Sequence, residues 1–246
     1  MSSPITAEKS CSRLSTHLTY GTISHRAVFQ EATKKRDQIK HTNKNFAKSI
    51  NSFLSRLHWR SHFIQKLEDQ PSIEHTSFIP VYDQIREKDE EKLEAWIEGK
   101  TGVHFIDACM IYLRNYGWIN FRMRAMLASF ASYNLWLDWR YFAPRLAALF
   151  TDFEPGIHYS QIQMQSGTTG INTIRMYNPY KQAMDQDPLA KFIKSQIPKV
   201  KNFPPAFFHN PPKKSLNVNL FDNEFQKEII NVKETAQYAR KKIFDI

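Results

Sequence analysis

Residues 96–124 read WIEGKTGVHFIDACMIYLRNYGWINFRMR. In and just after this stretch, apolar residues recur at spacings of three and four, which places side chains on one face of an α-helix. They are Ile106, Met110 and Leu113 before Gly117, and Met123, Leu127 and Phe130 after it. Gly117 can end the first helix, because glycine readily adopts the left-handed conformation that closes many helices. The stretch therefore predicts two successive helices.

The same pattern continues on both sides of this stretch. The strongest helical signal runs from Asn45 to Leu67 and stops before Pro71, and its apolar stripe is Phe46, Ile50, Phe53, Leu54, Leu57, Ile64 and Leu67. Downstream stripes are Phe142, Leu146 and Leu149, then Ile230, Ala236, Ala239 and Ile243. No run of alternating apolar and polar residues predicts β-strands. We expect an all-α fold that forms one helical domain over residues 1–246.

Four segments depart from the regular helical pattern. The charge-rich run 84–94 (QIREKDEEKLE) predicts a solvated helix face. Residues 151–180 are dense in polar residues and hold three of the seven glycines, which predicts a long structured loop. Asp187 followed by Pro188 is typical of a helix start. Five prolines within 198–212 predict an extended surface segment over 198–220.

Composition limits the classes of partner and compartment. The formal net charge of +10 favours nucleic acid, cofactor phosphates or an anionic membrane surface, although a basic surface without a partner explains it equally well. Cys11 and Cys109 form no C-x-x-C pair, which excludes the usual cysteine-type zinc and iron–sulfur sites and favours a reducing compartment. The sequence has no 18-residue apolar stretch and no signal-peptide core. We expect a soluble cytoplasmic protein, or a nucleoid or nuclear one if it binds DNA.

Generic catalytic motifs are weak in this sequence. His58 and His62 have helical spacing suited to a shared metal, but no third ligand is evident, so we expect no metal. The GTTG run at 167–170 follows no predicted strand, as a dinucleotide-binding loop would require. No nucleophile elbow supports a serine hydrolase. Ser12 and Ser15 with Arg13 could bind a phosphate at a helix start, although an ordinary helix cap has the same composition.

Five segments, taken in order, are more specific than any single motif. They are SCSRLSTHLTYGTIS (10–24), FLSRLHWRSHF (53–63), the opening stretch 96–124, SFASYNLWLDWR (129–140) and IRMYNPYKQAMDQDP (174–188). Together they resemble the C-terminal FAD-binding domain of DNA photolyases and cryptochromes. The resemblance implies a bundle of many helices that binds FAD. It also implies that the α/β antenna domain, which precedes this domain in the family, is absent from the chain, and that a partner protein could supply it.

The resemblance assigns roles residue by residue. The residues implied for cofactor binding are Ser12, Arg13, Leu14, Ser15, Arg60, Arg124, Asp152, Glu154 and His158. Within this set, Arg124 is expected to pair with Asp152, and His158 to face the reactive flavin nitrogen. The residues implied for catalysis are Trp59, Arg122 and His158. The residues implied for DNA binding are Arg56, Arg122, Arg175 and Gln182, and Trp139 is implied in electron transfer.

The sequence also departs from the family pattern. Arg56 stands where repair enzymes carry a glutamate that hydrogen-bonds the damaged bases, and Asn120-Phe121 replaces a His-Asn pair. Ile162 stands at the tryptophan nearest the flavin, with Met164 at its companion, and Tyr159 could substitute as a donor. Three functions therefore stay open. They are light-driven repair of pyrimidine dimers by a deoxyribodipyrimidine photolyase, a cryptochrome-like photoreceptor or redox flavoprotein acting through a partner, and a non-catalytic subunit.

Overall fold

The computed structural model describes residues 3–170, 174–210 and 227–244. The α-helices of these residues are α1 (Pro4–Ser10), α2 (Ser15–Thr19), α3 (His25–Ile39), α4 (Lys44–Asp69), α5 (Glu90–Ile97), α6 (His104–Tyr116), α7 (Phe121–Ser129), α8 (Trp139–Ala147), α9 (Pro155–Ser166), α10 (Pro179–Gln186), α11 (Lys191–Gln196), α12 (Ala206–His209) and α13 (Val232–Phe244). No strand occurs in these ranges, and one isolated bridge joins Glu87 to Leu137. The all-α prediction is confirmed. None of the helices in the described ranges is both long enough and apolar enough to span a membrane.

The chain divides into two compact units. The large unit comprises Met1–Cys11, Thr76–Phe150 and Gln161–Ile246, and the small unit comprises Ser12–His75 and Thr151–Ser160. Helix α9 contributes its first half to the small unit and its second half to the large one. The assignment of 1–246 to one domain stays a prediction.

The small unit is built on a helical hairpin. Helices α3 and α4 are joined by a four-residue connection and pack through Val28, Ile50, Leu54 and Leu57. The Asn43 side chain caps α4 by accepting from the Phe46 backbone N–H at 3.1 Å. The predicted helix and its end before Pro71, which begins a 3₁₀ turn, are confirmed. Phe46, the first residue of the predicted stripe, lies in the first turn of α4 and is 49% exposed.

Helix α6 and its preceding loop form the centre of the large unit. Ile106, Met110 and Leu113 are fully buried, and Gly117 ends α6 with a φ of 64°, as predicted. The buried Asp107 carboxylate accepts hydrogen bonds from the Thr101 backbone N–H at 2.9 Å, the Thr101 hydroxyl at 2.6 Å and the Gly102 N–H at 2.9 Å. This carboxylate fixes the GKTG turn ahead of α6, because it satisfies three donors at once.

A π-helical turn, Phe130–Asn134, continues α7 and supports the C-terminal helix. Tyr133 of this turn is buried in a cluster with Ala239 and Ile243 of α13. The Asn134 amide donates to the Val232 carbonyl at 3.2 Å. The predicted closing helix is confirmed, with its start at Val232 rather than Ile230.

The predicted loop over 151–180 was wrong in its central part, where the chain forms α9. The buried residues of α9 include the polar Ser160, Gln163 and Ser166. Because polar side chains occupy buried positions that apolar ones usually fill, the segment lacks the apolar periodicity of a helix.

The predicted solvated helix face over 84–94 was also wrong in its first half. Helix α5 begins only at Glu90, after Asp89 caps it by accepting from the Lys92 N–H at 3.0 Å. Arg86 is buried, and its guanidinium donates to the Ser132 carbonyl at 3.0 Å and the Ser166 carbonyl at 2.8 Å. These carbonyls belong to the π-helical turn and the last residue of α9, where free carbonyls and the helix dipole favour a cation.

Two further segments differ from their prediction. Helix α11 begins at Lys191 rather than Pro188, although the Asp187 carboxylate accepts from the backbone N–H groups of Phe192 at 3.1 Å and Ile193 at 3.0 Å. The proline-rich segment predicted as extended contains a 3₁₀ turn at Pro198–Val200 and the short helix α12. Phe208 of α12 is buried, and this burial is favourable because it removes an apolar side chain from water. Residues 211–220 of that prediction lie outside the described residues.

Candidate functional site

The residues predicted to act in function divide between the two units. Those in the small unit are Ser12, Arg13, Leu14, Ser15, Arg56, Trp59, Arg60, Asp152, Glu154 and His158. Those in the large unit are Arg122, Arg124, Trp139, Arg175 and Gln182. The pairing of Arg124 with Asp152 stays a prediction, and each group is described within its own unit.

The predicted phosphate segment lies at the start of α2. Ser12 and Arg13 are exposed, and Arg13 has a left-handed φ of 57°. Leu14 packs against the core of the hairpin. The Ser15 hydroxyl is buried and has no hydrogen-bond partner within residues 3–170, 174–210 and 227–244. Since burying a hydroxyl without a partner costs about 1–3 kcal/mol, this segment fits a site that a polar ligand completes.

Arg60 connects α4 to the segment before α9. Its Nη2 donates to Glu154 Oε2 at 2.9 Å and to the Leu18 carbonyl at 3.2 Å. The Arg60 and Glu154 side chains are only 18% and 19% exposed, so water screens this ion pair less than a surface pair. The pair holds Glu154 beside the end of α2.

The Asp152 backbone also lies beside α2. Its carbonyl accepts from the Thr19 hydroxyl at 3.5 Å, and the hydroxyls of Thr16 and Thr151 lie 3.4 Å apart. The Asp152 side chain is buried. Four predicted cofactor residues of the small unit, Ser15, Arg60, Asp152 and Glu154, are thus brought together around α2.

His158 is buried on the first half of α9. Its ring makes edge contacts with Phe153 and Tyr159, at centroid distances of 5.4 and 5.2 Å. Burial and the neighbouring Glu74 raise the pKa of Tyr159, so its phenol stays protonated at neutral pH. His158 therefore sits among aromatic rings, a surrounding suited to a planar ligand.

Arg56 and Trp59 lie on the exposed side of α4. The Trp59 ring is 47% exposed and stacks on Phe63 at a centroid distance of 5.6 Å. Arg56 is exposed one turn earlier. Within the described ranges no group of three metal-ligating side chains comes together, at His58 and His62 or elsewhere.

The predicted arginines of the large unit lie on or near α7. Arg124 Nε donates to the Ile119 carbonyl at 2.7 Å, and its guanidinium lies 4.2 Å from the centre of the Phe150 ring. Arg122 and Arg175 are exposed, and the Ser129 hydroxyl of α7 donates to the Arg175 carbonyl at 3.2 Å. Gln182 of α10 is buried, and no described residue hydrogen-bonds to its Oε1. The structure thus brings the Arg175 segment to α7.

Trp139 and Ile162 are both buried in the large unit. The Trp139 indole donates to the Ser77 hydroxyl at 2.9 Å, which fixes its ring. Ile162 and the half-buried Met164 lie on α9, and the Ile162 side chain cannot be oxidised.

Sequence reasoning missed Gln163, which organises the same helix. Its side chain accepts from the Phe78 N–H at 2.8 Å and donates to the Thr76 carbonyl at 2.9 Å, so it joins α9 to residues 76–78. No sequence signal marks it, because a single glutamine between Ile162 and Met164 has no distinctive spacing.

Comparisons with known proteins match this chain along most of its length. The family model described as the FAD binding domain of DNA photolyase matches residues 53–245. The chain is 32% identical over 228 residues to a deoxyribodipyrimidine photo-lyase of Buchnera aphidicola subsp. Baizongia pistaciae, covering 90% of the chain and 46% of that protein. It is 26% identical over 232 residues to cryptochrome-2 of Gallus gallus, covering 91% of the chain and 39% of that protein.

A solved structure is similar over the whole chain. An archaeal photolyase from Sulfolobus tokodaii, solved with two FAD molecules, has 30% identity and a TM-score of 0.78, and the match covers 100% of this chain and 52% of that one. The chain spans about half the length, or less, of the relatives it matches.

Proposed function

The chain belongs to the family of FAD binding domains of DNA photolyase, and from that premise we propose that it is a flavoprotein that binds DNA and acts in light-driven electron transfer to damaged pyrimidines. One observation carries the cofactor part of the proposal. Residues predicted to bind FAD converge around α2, where the buried Ser15 hydroxyl has no hydrogen-bond partner in the part of the chain that the structure describes.

The residues around α2 have distinct roles in this proposal. Ser12, Arg13, Leu14 and Ser15 bind the cofactor phosphates through hydroxyls, the guanidinium and backbone N–H groups. Arg60 and Glu154 hold the segment before α9 in place, because their ion pair fixes both side chains. His158 contacts the flavin ring. When bound, FAD supplies the light-absorbing, electron-transferring chemistry that side chains lack.

The DNA part of the proposal rests on exposed cations and one aromatic ring. Arg56, Arg122 and Arg175 are exposed and can bind phosphates, and the half-exposed Trp59 offers a face on which an unstacked base can lie. Gln182, which the resemblance assigns to DNA binding, is buried, and its amide oxygen has no hydrogen-bond partner among the described residues. The +10 charge of the chain favours such a polyanionic ligand.

The cofactor is tested on the purified protein. We expect a yellow protein that releases FAD on heating, identified by chromatography, with less flavin after Ser15→Ala. Circular dichroism of the variant controls for folding. A folded, colourless wild type that cannot be reconstituted with FAD would contradict the proposal.

DNA binding is tested separately from the cofactor. Arg175→Ala should weaken duplex binding and make the dependence of affinity on salt shallower by about one phosphate contact. Flavin content should stay unchanged, because Arg175 is not among the proposed cofactor residues. A wild type that binds no DNA at low salt would refute this part.

A second candidate function is supported by the departures from the family pattern. Arg56 replaces the glutamate that the resemblance assigns to lesion binding, and the chain is also similar to a cryptochrome. In that case the protein is a photoreceptor or redox flavoprotein that acts through a protein partner. Illumination with dimer-containing DNA discriminates the two, because only the repair enzyme restores intact pyrimidines.

A further inference from the structure

The hairpin of the small unit carries an unusual concentration of positive charge. No aspartate or glutamate occurs between residues 38 and 67. Exposed basic residues surround the connection between α3 and α4, namely Lys34, Lys35, Lys40, His41, Lys44 and Lys48. The site residues assigned above do not include these six.

On α4, part of this charge forms a line. Lys44, Lys48, Ser52 and Arg56 follow one another at intervals of four residues, and all four are exposed. Because residues four apart are neighbours on a helix surface, they form one continuous row, here named the α4 basic ridge. At 1.5 Å per residue, the ridge spans ~18 Å along the helix axis.

The position of Lys44 and Lys48 is electrostatically unfavourable for the fold alone. Lys44 is the first residue of α4, where the helix dipole is positive, Lys48 follows one turn later, and the first turn contains no acidic residue. As like charges four residues apart they also repel each other. Among the described residues, no carboxylate lies within ion-pair distance of either ammonium group. An anion from outside the chain would relieve this repulsion.

The apolar residues of α4 distinguish between two anionic ligands, a membrane surface and a nucleic acid. Ile50, Leu54 and Leu57 are buried in the hairpin core. The exposed large apolar residues of α4, Phe46 and Trp59, lie more than three turns apart and form no continuous face. A helix that lies on a membrane needs an exposed apolar face to insert among the lipids. The ridge instead offers flexible point charges and a hydroxyl, which suit phosphate oxygens.

We propose that the α4 basic ridge binds the phosphate backbone of duplex DNA beside the lesion. The inference rests on the proposed function in one respect, the DNA contact at Arg56, and extends that contact ~18 Å along α4. This length matches about five base pairs, at 3.4 Å of helix axis per pair. Ammonium and hydroxyl groups on phosphates read no base edges, so the added contact is independent of sequence.

The test uses the flavin-loaded full chain and two matched charge reversals. Lys44→Glu/Lys48→Glu changes the ridge, and Lys88→Glu/Lys92→Glu makes the same charge change in the acidic run, where both lysines already have carboxylate partners. Fluorescence anisotropy with a labelled duplex at several salt concentrations gives the affinities. We expect a loss on the order of tenfold for the ridge variant, and a log–log salt slope shallower by about 2. The control should bind as the wild type does.

Thermal unfolding tests whether the ridge variant loses affinity only because its fold is less stable. Glutamate is favoured at a helix N-terminus, so the ridge variant should melt no lower than the wild type. Duplexes shortened by five base pairs on one side of the lesion should weaken wild-type binding and leave the affinity of the ridge variant unchanged.

The outcomes separate this inference from the proposed function. If Arg175→Ala weakens DNA binding while the ridge variant binds as the wild type does, the ridge inference is wrong and the proposed function stands. If the wild type binds no duplex at low salt, DNA binding as a whole is wrong. If the ridge variant loses only its affinity for phosphatidylserine vesicles, the ridge is a membrane surface and the DNA inference is overturned.

Discussion

At the scale of single residues, Asp107 is expected to make the free energy of unfolding depend on pH. Burial raises the pKa of Asp107 to about 6, although its three hydrogen bonds favour the carboxylate. The folded protein therefore holds a proton that the unfolded chain releases between about pH 4 and 6. The contribution to the free energy of unfolding is fully present below this window and is lost as pH rises through it, by on the order of 3 kcal/mol.

Asp107→Asn should remove this part of the pH dependence. Urea unfolding at pH 4.5, 6 and 7.5 should show a flatter profile for the variant than for the wild type. At pH 7.5 the variant should also be less stable by about 1–3 kcal/mol, because the amide NH₂ cannot accept from the Gly102 N–H. Parallel pH profiles would show that Asp107 does not titrate in this window.

Ile162 is expected to limit light-driven reduction of the flavin. The resemblance assigns this position to the tryptophan nearest the ring, and isoleucine cannot donate an electron. We expect slow photoreduction in the wild type and a faster rate in Ile162→Trp, if the pocket accepts the larger ring. Flavin absorbance under blue light gives the rate.

Two indole variants serve as controls for Ile162→Trp. In the Ile162→Trp background, Trp139→Phe should slow the reaction. Trp136→Phe should not, because no electron-transfer role is assigned to Trp136. Fast reduction in the wild type that survives Trp139→Phe would assign the donor to another residue, such as Tyr159.

At the scale of elements, Gly156 allows α9 to approach α4. A Cβ atom on Gly156 would lie 2.7 Å from the Phe63 carbonyl oxygen and 2.8 Å from the Ile64 Cα, both of which are backbone atoms. Gly156→Ala places this Cβ in the first turn of α9 and forces the two helices apart, at a cost of about 1–3 kcal/mol.

We expect Gly156→Ala to lower stability or leave it unchanged, and to reduce flavin content, because α9 carries His158. Gly21→Ala is the control, since no described residue other than its two chain neighbours places a heavy atom within 4 Å of its Cβ position. It should cost about 1 kcal/mol for its left-handed φ and retain flavin. Equal flavin loss in both variants would show that the close packing of α9 against α4 does not explain the loss.

Apolar periodicity determines which elements the sequence could predict. Helices α4 and α6 were predicted because each buries an apolar stripe. Helix α9 was missed because it buries Gln163 and Ser160, and buried Arg86 was read as solvated because its partners are carbonyls distant in sequence. Within the candidate site, residue identities were predictable by resemblance, but the Arg60–Glu154 pair joins positions 94 apart that no local pattern connects.

At the scale of the whole molecule, FAD should stabilise the folded chain. A ligand that binds only the folded state at 100 times its Kd adds about 2.7 kcal/mol. For a chain of 246 residues this corresponds to a rise in Tm of roughly 5–10 °C. Melting of flavin-stripped protein, followed by tryptophan fluorescence, should show a Tm that increases with FAD concentration.

FMN is the matched control for this shift, because it lacks the adenylate half of FAD and should raise the Tm less. A Tm that does not respond to FAD would contradict cofactor binding by this chain.

The docking of α13 on the π-helical turn has a consequence for synthesis on the ribosome. Tyr133 and its half-buried neighbours Trp136 and Ile85 pack against α13, and Asn134 contacts Val232 across 98 positions. At roughly 5–20 residues per second, translation of those 98 residues takes about 5 to 20 s. During that interval we expect this aromatic surface to be exposed on the nascent chain. A holdase chaperone would bind this surface until α13 has been synthesised.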